Sequence, residues 1–423
     1  MKLLKPFTVR SGAILSCALL STLSGCKAPA NTQAAQVETP GQKRTSSISR
    51  SEGVPNGQKT TSGLTIPRGF QIELLAEGFF VPRRLAIAPG ATPARYDLFI
   101  AESKANRVSV LQINKGKVAR KTTFVTGLNQ PYGMAFGDSS FFVANTDAVL
   151  RFPFRTGDLS ASGAGRKIAD LTEGGYNQHW TRNLLFSRDQ KKLFVTVGSS
   201  CNTCEENDPQ RAAISAMNPD GSDKRVYASG LRNPVGVALR PGTDELWTVV
   251  NERDNLGDDV PPDYLTSVKP GAFYGWPYAY TDINGNIFPD PNYGDKTEMV
   301  QKTRAPDVPV QAHSAALGLA FYPLAGGNFP KNYRGDAFLA LHGSWNRSAK
   351  TGYKIVRVDF ESGKPKAVSD FVTGYGEENE AKGGRPVDVQ IAPDGSLIFS
   401  DDGRGRIWRV SYDGATFGGA DSG

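Results

Sequence analysis

The sequence predicts an all-β protein, a six-bladed β-propeller, on three observations. Its 423 residues include 46 glycines and 27 prolines, a composition that favours many short strands joined by tight turns. One two-strand pattern recurs six times. No convincing amphipathic helix separates the copies, as a parallel α/β sheet would require.

The recurring unit is a turn with Gly or Pro, a strand ending in Ala-x or Leu-x, a tight turn and a second apolar strand. It is read at residues 81–88 with 97–102, 127–136 with 140–145, and 182–187 with 192–197. It returns at 230–239 with 245–250, 317–322 with 336–341, and 385–395 with 396–401. Further strand-like sequence follows the copies, as at 107–113, 353–360 and 405–412, so each copy fits a unit of about four strands. Radial repetition of such units leaves only short, protected edges. In that topology the residues entering the six first strands gather around one mouth. Asn129 and Gln130, His179, Arg232 and Asn233, His313 and Ser314, and Arg385 are therefore expected to meet.

Residues 1–26 read as a secretory signal: Lys2, Lys5 and Arg10, an apolar run too short to span a membrane, then Leu23-Ser24-Gly25-Cys26. That last tetrad resembles the lipobox of bacterial lipoproteins. The resemblance implies cleavage before Cys26 and acylation there, and hence a membrane tether and an exported, lipid-anchored protein of the cell envelope. Residues 27–63 contain almost no large apolar side chain and are expected to form a flexible tether. The propeller is expected over 64–415, with a disordered tail at 416–423. The formal charge of +7 is spread along the chain, so no nucleic-acid partner is expected.

The chain has four cysteines. Cys17 and Cys26 belong to the signal and the anchor, and Cys201-Asn-Thr-Cys204 in an exported protein reads as a disulfide. Zinc would need a second ligand pair, and c-type haem would need His where Glu205 stands. Residues 251–259 offer Glu252, Asp254, Asp258 and Asp259, hard oxygen donors of the kind calcium takes, although a plain acidic surface loop has the same composition. Only three histidines occur, so groups titrating near neutrality are scarce. His179 precedes a short buried strand, His313 precedes another first strand, and His342 lies beside Trp345, whose flat face suits a planar ring. For His313 and His342 a structural role accounts for the sequence as well as a functional one.

Six motifs together carry a resemblance. They are His179 with Arg182, Gly230-Leu-Arg-Asn-Pro-Val-Gly, Asn251-Glu-Arg-Asp-Asn-Leu-Gly-Asp-Asp, Tyr274-Gly-Trp-Pro, Lys350-Thr-Gly-Tyr-Lys and Gly384-Arg-Pro-Val-Asp-Val. In this order the chain resembles the soluble quinoprotein glucose/sorbosone dehydrogenase family, nearest its L-sorbosone dehydrogenase-like branch, over about residues 67–412. The resemblance implies pyrroloquinoline quinone (PQQ) and Ca2+ as cofactors and a sugar or aldehyde as substrate. Oxidation at the anomeric or aldehyde carbon would proceed by hydride transfer to the quinone. His179 then matches the general base and Arg232 the donor to the C5 oxygen. Lys350 and Arg385 match the cations for the cofactor carboxylates, with Asn233, His313 and Gln130 as further cofactor contacts. Glucose-oxidising members carry Gly-Pro where Asp254-Asn255 stands, which puts main-chain coordination of the metal in doubt.

Two other functions fit the predicted fold, since propellers host many activities. A calcium-dependent lactonase or esterase would use His179 with an axial calcium and would not need the cations at 350 and 385. A binding module without catalysis would leave His179 and Arg232 without a chemical task. The electron acceptor lies beyond the sequence.

Overall fold

The structure is a computed structural model that describes residues 48–173, 179–376 and 383–413. The signal, Cys26, residues 27–47 and the 416–423 tail lie outside the described residues. Six four-stranded antiparallel sheets form the blades of a propeller. Blade 1 comprises Pro82–Ile87, Arg95–Glu102, Arg107–Asn114 and Lys117–Val125, and blade 2 Met134–Gly137, Ser140–Ala144, Ala148–Pro153 and Arg166–Asp170. Blade 3 comprises Leu184–Phe186, Leu193–Val197, Ala213–Met217 and Arg225–Ser229, and blade 4 Asn233–Leu239, Leu246–Asn251, Pro262–Val268 and Val308–Ala312. Blade 5 comprises Ala316–Phe321, Ala337–Leu341, Lys354–Glu361 and Lys364–Val372. Blade 6 comprises Pro386–Ile391, Leu397–Asp401 and Arg406–Tyr412 and takes its outer strand, Phe70–Ala76, from the other end of the fold. All six copies of the repeat read from the sequence supply the first two strands of a blade. Each first strand touches the next, and the sixth touches the first.

Set in register, the first strands have one shared position, occupied by Arg84, Gly133, Asn183, Gly236, Gly318 and Asp388. There the first strands of neighbouring blades approach closely. A Cβ on Gly133 would lie 2.6 Å from Arg182 O, one on Gly236 2.7 Å from Leu317 O, and one on Gly318 2.8 Å from Val387 O. Backbone meets backbone there, so glycine is required by space alone. Where the position carries a side chain, that side chain crosses to the next blade. Asn183 Nδ2 donates to Val235 O at 2.7 Å. The Asp388 carboxylate accepts from Arg84 Nη1 at 2.7 and 2.8 Å and from Leu85 N at 2.8 Å, closing blade 6 onto blade 1. One residue earlier in the register, Tyr132, Val235, Leu317 and Val387 form an apolar plug across the axis.

Within the expected tether, residues 48–63 carry regular structure. Ser49–Ser51 pairs in parallel with Lys364–Val372 as a fifth strand of blade 5, and Gly57–Lys59 forms a hairpin with Thr65–Pro67. The pairing uses backbone groups at an open sheet edge, which composition does not report. Arg50 reinforces it by donating to Pro309 O at 2.9 Å and Ile283 O at 3.1 Å.

Removing one partner of a buried ion pair leaves the other uncompensated and typically costs about 3–5 kcal/mol, whereas exposed pairs contribute about 0–1 kcal/mol. Asp388→Ala is therefore expected to lower stability several-fold more than Asp138→Ala, whose Arg151 pair is exposed. Guanidinium unfolding of the two variants checks this, and equal losses would contradict the closure role of Asp388.

Candidate active site

Two residues before the apolar plug, the register reads Val81, Gln130, Trp180, Asn233, Ala315 and Arg385. All but Gln130 line a cavity of about 430 Å³ at the mouth above the plug, within the size range of small-molecule sites. All three histidines of the chain also line it, as do Arg83, Lys104 and Arg232. Gathering His179 with Arg232 in one cavity agrees with the topology argument from sequence. Gln130 stands outside the lining, and Lys104 Nζ donates to Gln130 Oε1 at 3.3 Å.

His179 is buried. Its Nδ1 lies 3.1 Å from Ser199 O and 3.0 Å from Ser199 Oγ. A carbonyl only accepts, so the neutral ring carries its proton on Nδ1 and its basic lone pair on Nε2. Gly198 permits this closeness: a Cβ there would meet Asn233 Oδ1 at 2.4 Å and His179 Cβ at 3.0 Å. Buried Arg182 organises the preceding turn by donating to His179 O at 2.9 Å and Thr172 O at 2.8 Å. Burial first, then the charges of Arg232, Arg182 and Arg211, holds the imidazole well below its usual pKa, against the pull of the Ser199 bond. The ring is therefore a neutral base at physiological pH.

Arg232 is almost wholly buried and anchored on every side. Its Nε donates to Asn202 O at 3.0 Å and its Nη2 to Asn202 Oδ1 at 2.9 Å and Asp254 Oδ2 at 3.3 Å. Nη1 donates to Glu252 O at 2.6 Å and, more weakly, to Asn251 O at 3.4 Å. Its contribution to the cavity is thus a fixed positive charge beside His179.

Lys350 is exposed and does not line the cavity, contrary to expectation. Ser344 and Thr351 close the loop on each other (Ser344 N to Thr351 O 2.9 Å, Thr351 N to Ser344 Oγ 2.9 Å), so Trp345 and Asn346 reach the cavity while Lys350 turns outward. The cations that do line it, and that sequence reasoning missed, are Arg83 and Lys104. Arg83 sits one residue before the shared register position of blade 1, a signal the repeat contained. Lys104 lies in the 3-10 turn after the second strand of that blade, where no motif marked it. Among the described residues, Arg385 donates to the His342 and Gly343 carbonyls at 3.1 Å and has no carboxylate partner.

The other two histidines are engaged with the protein. His313 Nε2 donates to Gly257 O at 2.8 Å and Nδ1 accepts from Asn346 Nδ2 at 3.3 Å, so it braces the mouth. His342 Nε2 bonds Asp402 Oδ1 at 2.9 Å. Burial lowers His342 to about 4. Burial works against the Asp402 charge, but His342 and Arg83 together hold that carboxylate well below the usual range.

The acidic loop does not assemble the expected side-chain calcium site. Asp258 accepts from Ser348 N at 3.1 Å and exposed Asp259 pairs with Arg347 at 2.7 Å, while Glu252 and Asp254 line the cavity. Among the described residues, the only group of three possible metal ligands close together is Cys201, Cys204 and Glu206. Its two sulfurs are joined in the expected disulfide, so they are not thiolate ligands. Instead, Glu252 is a buried acid beside Asp263: burial pushes Glu252 up to about 8 and Asp263 up to about 6.

A carboxyl raised in the folded state favours folding below its unfolded value of 4.5 and loses that contribution as pH rises through about 8. Glu252→Gln should therefore flatten the stability profile of chelator-treated protein. Between pH 5 and pH 9 the wild type should lose on the order of 3 kcal/mol relative to the variant. Parallel profiles from denaturant titrations would show that Glu252 does not carry this proton.

Comparison with known proteins places the geometry among relatives. The chain is 29% identical over 370 residues to an uncharacterised protein of Borreliella burgdorferi, covering 84% of this chain and 93% of that one. It is 28% identical over 419 residues to the PQQ-dependent pyranose dehydrogenase of Coprinopsis cinerea, covering 84% of this chain and 56% of that one. It is 30% identical over 195 residues to an aldose sugar dehydrogenase of Escherichia coli, covering 45% of each. The chain thus spans about half the length of these two dehydrogenases. Among solved structures, the holo PQQ domain of the Coprinopsis cinerea pyranose dehydrogenase superposes with a TM-score of 0.71 at 20% identity, covering 86% of this chain and 100% of that one. The Trichoderma reesei carbohydrate-active enzyme of family AA12 does so at 0.70 and 21%, covering 84% and 99%. These two likenesses show the propeller fold. The family model described as TrAA12-like matches residues 64–413, and the chain belongs to that family.

Proposed function

We propose that this protein is a PQQ-dependent dehydrogenase that oxidises an aldose or a sorbosone-like sugar aldehyde at its anomeric or aldehyde carbon. The observation that carries the reading is a neutral, buried His179 sharing a cation-lined cavity with Arg232. The relatives named for PQQ and for sugars support it. The cavity suits a polycarboxylate: Arg385 and Lys104 have no carboxylate partner among the described residues. Among the described residues, Arg83 Nε, Thr181 Oγ1 and Asn233 Oδ1 are buried without a hydrogen-bond partner, and their residues line the cavity. Arg83, Arg385 and Lys104 would hold the cofactor carboxylates, and Trp180 and Trp345 offer flat faces beside them. The acidic loop does not fit calcium through side chains.

Bound PQQ supplies a two-electron acceptor for a carbon bearing hydroxyl and hydrogen. His179 Nε2 takes the hydroxyl proton, with Ser199 fixing the ring through Nδ1. Arg232 stabilises negative charge as it develops, and its anchors spare reorganisation during the reaction. Buried Tyr132, Val235, Leu317 and Val387 form an apolar floor beneath the cavity.

The purified protein is expected to bind PQQ at micromolar concentration or tighter and then to reduce a dye with aldoses or aldehydes. Absence of binding in a fluorescence titration would overturn the reading. His179→Ala should keep cofactor affinity and lose about a hundred- to ten-thousand-fold in kcat. Full turnover by that variant would remove His179 as the base. Because its pKa is depressed, the acid limb of kcat/KM for the wild type should fall below about pH 6.5.

We further propose that the protein is exported and anchored through acylated Cys26. The disulfide Cys201–Cys204 supports an oxidising compartment. Metabolic labelling with palmitate should mark the wild type and miss Cys26→Ser, which should leave the membrane fraction. An unlabelled wild type would contradict the anchor.

A further inference from the structure

The loop between Leu193–Val197 and Ala213–Met217 of blade 3 holds both residues assigned to the chemistry. Ser199, wholly buried, touches His179 Nδ1 with its carbonyl and its hydroxyl, and the hydroxyl donates to Cys201 O at 2.7 Å. Asn202, inside the disulfide ring, accepts from Arg232 at both its carbonyl (3.0 Å) and its Oδ1 (2.9 Å). The same two oxygens accept from Trp276 Nε1 at 3.0 Å and Asp254 N at 2.8 Å, and Asn202 Nδ2 donates to Asp254 O at 3.2 Å. Thus both hydrogen-bonding ends of Asn202 are aimed at Arg232 and its neighbour.

Residues 199–206 lie in no strand or helix. Glu206 pins the entry by accepting from Ser200 N at 2.5 Å and Ser200 Oγ at 2.8 Å, and the Cys201–Cys204 bond closes the turn that presents Asn202. A ring this short removes little entropy from the unfolded chain compared with a long loop. Its main consequence is local: it fixes the direction of two acceptors that orient a buried guanidinium.

We propose that the Cys201–Cys204 disulfide is a clamp on the active pair, with Asn202 the positioning residue for Arg232 and Cys201 O, through Ser199, the support for His179. The inference rests on the dehydrogenase reading only for its kinetic consequence. Opening the clamp by a dithiol moves two electrons and two protons onto the cysteine sulfurs and converts the dithiol to its own disulfide. The two cysteines then no longer constrain the turn, and Arg232 loses its fixed bearing on the cavity.

The test uses full-length protein in three variants: Cys201→Ser/Cys204→Ser, Asn202→Ala and Asn202→Asp. In protein without cofactor, the Arg232 Nε–H signal, assigned by its absence in Arg232→Lys, should exchange slowly in the wild type. It should exchange at least about tenfold faster in the double serine variant. In PQQ-loaded protein, Asn202→Ala and the double serine variant should each lose about a hundredfold in kcat, the scale of a misplaced active group. PQQ affinity and substrate KM should stay within about threefold. Asn202→Asp, which keeps the Oδ1 acceptor, should recover at least about tenfold over Asn202→Ala. Unchanged Nε–H exchange in the double serine variant overturns the clamp whether or not PQQ binds. A fall in PQQ affinity equal to the fall in kcat also overturns it, because the loop would then serve the pocket as a whole. If the wild type binds no PQQ, the function fails and the exchange measurement alone decides the clamp.

Discussion

The constraint on which the molecule depends is the close approach of six first strands around one axis. Four-stranded sheets diverge outward like wedges, so their inner edges must meet nearly backbone to backbone. Glycine at 133, 236 and 318 allows that contact, while Asn183 and the Arg84–Asp388 pair replace it with side chains that bridge to the next blade. The ion pair falls at the joint between the last blade and the first. There the outer strand comes from Phe70–Ala76, so the two ends of the fold are held by hydrogen bonding at the rim and by charge near the axis.

From that register the site follows. One residue above the contact level, apolar side chains plug the channel, and two residues further up the strand entries line the mouth. A charge placed there is partly cut off from water below and flanked by low-dielectric walls. Such a setting strengthens the field of Arg232 on His179 and keeps the imidazole neutral. The same burial would make a loose guanidinium costly. This accounts for the number of acceptors around Arg232, two of them on Asn202.

Much of this was legible in the chain. The six repeats place twelve strands because hydrophobic alternation and turn residues are local properties. Of the residues expected to meet, His179, Arg232, Asn233, His313 and Arg385 line the cavity, which needed nothing beyond blade topology, whereas Asn129, Gln130 and Ser314 do not. The failures share a cause. Lys350 stands beside Trp345 and Asn346 in sequence, yet a turn closed by Ser344 and Thr351 points them in different directions. Glu252, Asp254, Asp258 and Asp259 look alike as an acidic run, but two are buried and line the cavity while two bond the 347–348 segment at the surface. Residues 48–63 are polar in composition and still pair with a sheet edge, because edge pairing is made by backbone.

By itself the sequence determined the all-β architecture, the number of blades and the strand entries that bring His179, one of only three histidines, to the mouth. These depend on spacing along the chain, which every residue carries with it. Only the tertiary structure decided that Arg83 and Lys104 line the cavity while Lys350 does not, and that burial raises the Glu252 carboxyl. It also decided that Asn202 serves Arg232. Those outcomes turn on burial, direction and distance between residues far apart in sequence, quantities that exist only once the ring has closed.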